Sequence, residues 1–378
     1  MIGSDKMQNK DLHFRNGRFR ILQIADTQEV SDINPDTLKL MAAAIDVSKP
    51  DLIVLTGDQI KGYSVELMQG NSKEKVRKLL TSLLKPITDR GIPFTATFGN
   101  HDEECGVSKE DQMEIYKSLP GFVYGDPANS NECGTFVLSI DDESLIWIFD
   151  SHRKDGHGGA GTVHEDQLKW YRETRDAYEK KYGIALPGYA FQHIPTPEYY
   201  DVIKKVSPFS RNRVRAYGPH KNTWYALDPN NSDIGDFMKE PPSPPHINVG
   251  EVDAFLEKKD VRALFVGHNH NTSFTAKYKD IYLSITQGCG FNVYGPGLDR
   301  GVRYIDIYDN GTFESHTITF KDICGKEIER KLTYAKQAVA PVSIAGTKTA
   351  IVETAAAAAV VGGVIGLVKL ATKKKKTK

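Results

Sequence analysis

The sequence predicts an α/β fold, and three observations carry the prediction. Short apolar runs rich in β-formers alternate with segments whose apolar residues recur at helical spacing. Several of those runs stop at Gly, Asp, Asn or His instead of continuing as apolar chain. The composition over 378 residues is 39% apolar, 10% aromatic and 26% charged, which excludes disorder for most of the length. Two domains would fit the length, although α/β folds often run longer as one. The chain can build a core without disulfides or a structural metal.

The elements follow in order. Residues 19–25 (FRILQIA) make a strand that ends at Asp26. Asn34 as N-cap and Pro35 at the first helical position open a helix. Leu38, Met41, Ala42 and Ile45 form its apolar face, and Lys49-Pro50 closes it. Residues 51–56 (DLIVLT) are a buried strand ending in Gly57-Asp58, and mainly helical chain is expected over 64–89, kinked or ended by Pro86. A third strand over 92–98 runs into Gly99-Asn100-His101-Asp102. Residues 135–140 and 144–149 flank Asp141-Asp142-Glu143 as a hairpin. Thr162 and Glu165 have capping-box spacing ahead of a helix bearing Leu168, Trp170 and Tyr171. Strands over 188–192 and 261–266 end at His193 and at Gly267-His268-Asn269-His270. Strands near 273–277, 281–286, 302–308 and 313–320 complete the body. Residues 207–248 read as an irregular excursion with Pro-Pro-Ser-Pro-Pro at 241–245, a candidate lid or binding loop.

Charge and cysteines narrow the class. The formal net charge is zero, which gives no support for nucleic-acid binding. Six basic residues but one acidic residue follow Lys348, so residues 1–348 hold 43 basic against 48 acidic residues. Cys105, Cys133, Cys289 and Cys324 form no CxxC pair, which excludes a zinc ribbon and points weakly to a reducing compartment. Residues 1–16 read as a polar N-terminal extension with no apolar signal segment. A cytoplasmic or membrane-associated location is therefore expected.

Asp26, Asp58, Asn100, His101, His193, His268 and His270 all fall at the C-terminal ends of expected strands, where open α/β sheets bind ligands. Carboxylates, an amide and imidazoles make a hard-to-borderline donor set, suited to Mn, Fe or Zn. The blocks Asp26-x-Gln28, Gly57-Asp58, Gly99-Asn100-His101-Asp102, lone His193 and Gly267-His268-x-His270 resemble the calcineurin-like metallophosphoesterases. RILQIADTQ, LTGDQI, FGNHDEE, FQHIPTPEY and CGFNVYGPG are similar to that family's purple-acid-phosphatase-like branch of bacteria, plants and fungi.

The resemblance covers about residues 17–320, and the domain is taken as 17–325. It implies a four-layer sandwich, two mixed β-sheets flanked by helices. It also implies a dinuclear centre hydrolysing phosphate esters, with monoesters favoured. By motif match, Asp26, Asp58 and His270 would hold metal one, and Asp58, Asn100, His193 and His268 metal two. His101 would act as general acid or by its charge, with Asp102 orienting it or a ligand. Asn292, Tyr294 and Arg300 would lie near the substrate rim. A phosphodiesterase, or a weakened member that binds phosphate-bearing ligands, are the alternatives.

Two departures stand out. Gln28 occupies a place where the family usually has His, so it is either a weaker ligand or an amide supporting one. Lys61 stands where purple enzymes carry their tyrosine, with Tyr63 two residues on, so the protein is expected not to be purple. Residues 326–349 read as a linker and 350–378 as an Ala/Val/Gly-rich segment with a Lys-rich end. Its uncharged stretch, 354–368, is 15 residues long, shorter than the roughly 20 a spanning helix needs. A C-terminal anchor, a helix on anionic lipid and a flexible tail remain open for it.

Overall fold

Alternation of apolar side chains along each central strand builds the architecture. A computed structural model describes residues 12–128, 133–233 and 235–339. The expected N-terminal extension lies mostly, and the 350–378 segment wholly, outside them. The first sheet contains β1 (Arg18–Ile24), β2 (Leu52–Thr56), β3 (Phe94–Thr97), β15 (Gly301–Tyr308) and β16 (Phe313–Thr319), in the order β16-β15-β1-β2-β3. The second contains β4 (Asp126–Pro127), β5 (Phe136–Ile140), β6 (Ser144–Ile148), β7 (Gly188–Phe191), β11 (Phe237–Met238), β12 (Val261–Val266), β13 (Thr272–Tyr278) and β14 (Ile281–Ile285). Its order is β11-β13-β14-β12-β7-β6-β5-β4. Both sheets are mixed: β1-β2-β3 and β6-β7-β12-β14 run parallel, and antiparallel strands flank them.

Odd and even positions of each strand enter different cores. Ile21 and Val54 of the first sheet meet Ile148, Phe191 and Phe265 of the second in a central apolar layer. Leu22 and Leu55 turn the other way, against the helices Pro35–Ser48 and Ser72–Leu83. Trp147 and Leu264 turn outward from the second sheet against the helices Glu165–Tyr182 and Glu251–Leu256. The result is helices, sheet, sheet, helices, with every central strand buried on both faces. One buried cation crosses the interface: Arg303 of β15 donates to Thr275 of β13 and to Ser273 and Thr286.

The structure corrects four local expectations. The helical stretch over 64–89 is three helices, Val65–Met68, Ser72–Leu83 and Lys85–Thr88, because Asn71 caps a new start and Pro86 sits in the first turn of the last. The helix after Gly161 begins at Glu165, not after Thr162: the His164 N–H donates to Gln167 Oε1 at 2.6 Å. Residues 207–248 are not wholly irregular. Part of them joins a small sheet, β8 (Ile203–Val206), β9 (Val214–Arg215) and β10 (Trp224–Leu227), ordered β8-β10-β9. Strands this short leave too few alternations to read. Within the expected linker, Lys331–Val339 forms a helix, and Tyr334 packs against the first core.

Candidate metal centre

The parallel strands of both sheets deliver their following loops to one edge. Asp26 and Gln28 follow β1, Asp58 follows β2, and Asn100 and His101 follow β3. His193 follows β7, and His268 and His270 follow β12. The chain turns sharply there: Asp26 (φ 54°), Gln28 (φ 38°), Asp58 (φ 54°) and His268 (φ 68°) all adopt left-handed backbone. Such a conformation costs about 1–2 kcal/mol per non-glycine residue, and strain of this kind clusters at functional sites. Gly99 is required by crowding, since a Cβ there would lie 2.1 Å from Asp58 Oδ1.

The polar atoms converge. Asp26 Oδ1 lies 3.2 Å from His270 Nε2 and 3.9 Å from His193 Nε2. His193 Nε2 lies 3.3 Å from Asp58 Oδ2 and 3.3 Å from His268 Nδ1. Ligand atoms of Asp26, Asp58 and His270 all lie within 4.8 Å of one another. The outward nitrogens are spoken for. His193 Nδ1 donates to Thr56 O and His270 Nδ1 to Tyr294 O, each at 2.9 Å, which turns both Nε2 atoms into the site. Asp26 Oδ1 and Asn100 Oδ1 are buried without a hydrogen-bond partner among the described residues. Orphaned acceptors among carboxylates and imidazoles are a donor set that fits a cation.

The electrostatics reflect the negative charge gathered in the cluster. Burial disfavours the charged form of His193, yet Asp58 and Asp26 outweigh it and push the imidazole up to about 10. Burial would raise the Asp58 carboxyl, but His193 and His101 hold it well below the carboxylate range. His268 is pushed well below the imidazole range by burial and by His193, which leaves it neutral, as ligation requires.

Gln28 sits within this cluster. Its Nε2 donates to Asp58 Oδ2 at 2.9 Å and lies 3.3 Å from His270 Nε2, while Oε1 accepts from Tyr63 Oη at 3.0 Å. Turning the amide over would present its oxygen to the site, and the Tyr63 hydroxyl could accept instead of donate. Lys61 points elsewhere, donating to Asn292 O at 3.1 Å.

Asp102 does not orient His101 through its ring. Its carboxylate accepts the backbone N–H groups of Asp58 (2.8 Å), Gly99 (2.7 Å) and Ile60 (3.2 Å). Glu104 is the partner instead: its Oε2 lies 2.6 Å from His101 Nδ1, and its other oxygen pairs with Arg153. Sequence reasoning missed Glu104, though its place three residues after His101 in one turn was a usable signal.

A cavity of about 680 Å³ opens over the cluster, in the range of small-molecule sites. Tyr63, His101 and Arg153 line one side, and Tyr217, Pro244 and His246 of the 207–248 excursion another. Of the three expected rim residues, only Tyr294 lines it, its ring stacked on His270 at 4.3 Å. Asn292 and Arg300 turn inward. Asn292 donates to Glu29 Oε2 at 2.6 Å, and Arg300 to the carbonyls of Gly290, Val293 and Gly297. A loop returning on itself has carbonyls to satisfy, and these two side chains satisfy them or brace the turn. Glu240 also lines the cavity, pushed up to about 7 by burial.

Residues 19–272 match the family model described as calcineurin-like phosphoesterase. The chain belongs to that family. It is 25% identical over 335 residues to a probable inactive purple acid phosphatase 14 of Arabidopsis thaliana, covering 77% of this chain and 75% of the relative. It is 27% identical over 242 residues to phosphatase DCR2 of Saccharomyces cerevisiae, covering 56% of this chain and 39% of that protein. Both fit the purple-acid-phosphatase-like branch. A solved dimetal phosphatase from Danio rerio shares the fold, with a TM-score of 0.51 and 12% identity over 80% of this chain and 99% of that one. Among the described residues no helix is long and apolar enough to cross a membrane.

Proposed function

We propose that this calcineurin-like phosphoesterase hydrolyses phosphate esters, monoesters foremost, at a pair of metal ions. Asp26, Asp58 and His270 would hold one ion, and Asp58, Asn100, His193 and His268 the other. The observation that carries the reading is the convergence of Asp26, Asp58 and His270 beside the orphaned acceptors of Asp26 and Asn100. Mn, Fe or Zn suits the donors. Two bound ions supply charge that activates a water and clamps phosphoryl oxygens.

The chain does the rest. His101 is partly exposed in the cavity wall and would donate a proton or charge to the leaving oxygen. Glu104, hydrogen-bonded to Nδ1, fixes the ring and would leave Nε2 to face the substrate. The wall from the 207–248 excursion would meet the alcohol portion of the ester. Tyr63 is half-buried beside Asp58, and desolvation and that carboxylate push its phenol above the ordinary range. Lys61, at the place where purple enzymes carry their tyrosine, donates to Asn292 O, which supports a protein that is not purple.

One observation favours a second reading, a weakened member that binds phosphate-bearing ligands. The Gln28 amide already spans Asp58 and His270, and several relatives carry the word inactive in their names. The test is hydrolysis of a chromogenic phosphate monoester beside its diester by metal-stripped protein given Mn²⁺, Fe²⁺, Zn²⁺ or Mg²⁺. Turnover that needs metal and vanishes in Asp58→Asn is expected. Bound metal without turnover would move the conclusion to the binding reading, and full activity in Asp58→Asn would sink the shared-ligand mechanism.

A further inference from the structure

We infer that the helix Lys331–Val339 positions the Asp26–His270 half of the site, with Gln337 as its positioning residue. The inference rests on the ligand set proposed above. Both the helix and the loop it touches lie beyond the family match, which ends at residue 272.

The His270 ring is aimed by two contacts with one residue: Nδ1 donates to Tyr294 O at 2.9 Å, and the ring lies 7° from parallel to Tyr294. Tyr294 belongs to a loop that must therefore hold still. Arg300 ties it from inside through three carbonyls. From outside, the carbonyl of Asn292 accepts from Lys61 Nζ at 3.1 Å and from Gln337 Nε2 at 3.0 Å. Two donors on one carbonyl fix the peptide plane two residues before Tyr294.

The helix carrying Gln337 is itself seated. The Glu329 and Arg330 N–H groups donate to Asp36, at 3.1 and 3.3 Å, and Arg330 makes a fork on Asp32. Tyr334 packs 6.4 Å from Phe291, and its hydroxyl would lie 3.1 Å from a Cβ at Gly297. Asn34 and Thr37, beside those same aspartates, contact Glu29, which accepts Asn292 Nδ2. Helix and loop thus share one anchor, and a donor 45 residues along the chain from Asn292 acts on its carbonyl.

The test uses the full chain and two readouts. Gln337→Leu removes the donor and keeps a good helix former, and Lys336→Ala on the exposed face of the same helix is the control. In metal-free protein, amide exchange followed by mass spectrometry should speed up in residues 289–297 and not in the strands. In a calorimetric Mn²⁺ titration, the equivalent that Asp26→Asn also weakens should bind about 3- to 10-fold more weakly, the scale of one lost hydrogen bond. The other equivalent and the control should match the parent chain. Unchanged loop exchange overturns the inference, as does equal weakening of both equivalents with faster exchange throughout, which is general destabilisation. A parent chain that takes up no Mn²⁺ would sink the dinuclear reading instead, and loop exchange alone would then decide the present one.

Discussion

Substituting Asp102 by Asn separates a catalytic role from a structural one. Three buried N–H groups converge on this carboxylate, two on Oδ2 and one on Oδ1. They belong to Asp58, Ile60 and Gly99, which lie in the loops that carry Asp58 and Asn100. An Asn oxygen can serve the Oδ2 pair, but its NH₂ then faces the Ile60 N–H, and donor meets donor. One orphaned buried donor costs about 1–3 kcal/mol. Relief of repulsion with Asp58 offsets part of this, so a net loss of about 2 kcal/mol is expected. Urea denaturation of metal-free protein at pH 8 measures it. There the carboxyl, pushed up to about 7 by burial and by Asp58, is ionised. Metal affinity should fall with stability, while kcat at saturating metal stays within about tenfold. Stability within about 0.5 kcal/mol of the parent, together with a hundredfold or greater loss of kcat, would refute the reasoning and return Asp102 to the chemistry.

Three further outcomes are expected. Glu104→Gln keeps a hydrogen bond to His101 but removes its charge. It should lower kcat about 10- to 100-fold with KM little changed, and an unaltered kcat would exclude His101 as the proton donor. Gln28→His replaces an amide between Asp58 and His270 with a stronger donor. One metal equivalent should tighten by about tenfold, whereas unchanged metal dependence would mean that residue 28 lies outside the coordination sphere. Glu251 is pushed from 4.5 up to about 8 by burial. The folded state therefore holds its proton where the unfolded chain releases it, and stability falls as pH rises through that window. Glu251→Gln should be flat by comparison, so its advantage grows from pH 5 to pH 8 and then levels; a constant difference between the two chains would show that this carboxyl does not titrate so.

What the sequence determined by itself was the set of strands and what ends them. Apolar runs as long as β1, β2 and β12 can only be buried, and the polar residue that stops each run must emerge at a sheet edge. That reasoning reached Asp26, Asp58, Asn100, His101, His193, His268 and His270 without coordinates. The resemblance then supplied their roles and the four-layer arrangement. Tertiary structure decided which partner each polar atom takes, because partners at sequence separations of tens to hundreds of residues leave no local pattern. Asp102 turned out to serve backbone N–H groups and Glu104 to serve His101, a choice made by how two loops pack. Arg300, charged and expected at the rim, is buried because its loop folds back and offers three carbonyls. The helix at 331–339 has no strong apolar stripe, so what holds it is Asp36, Phe291 and Asn292, none of them its neighbours in sequence.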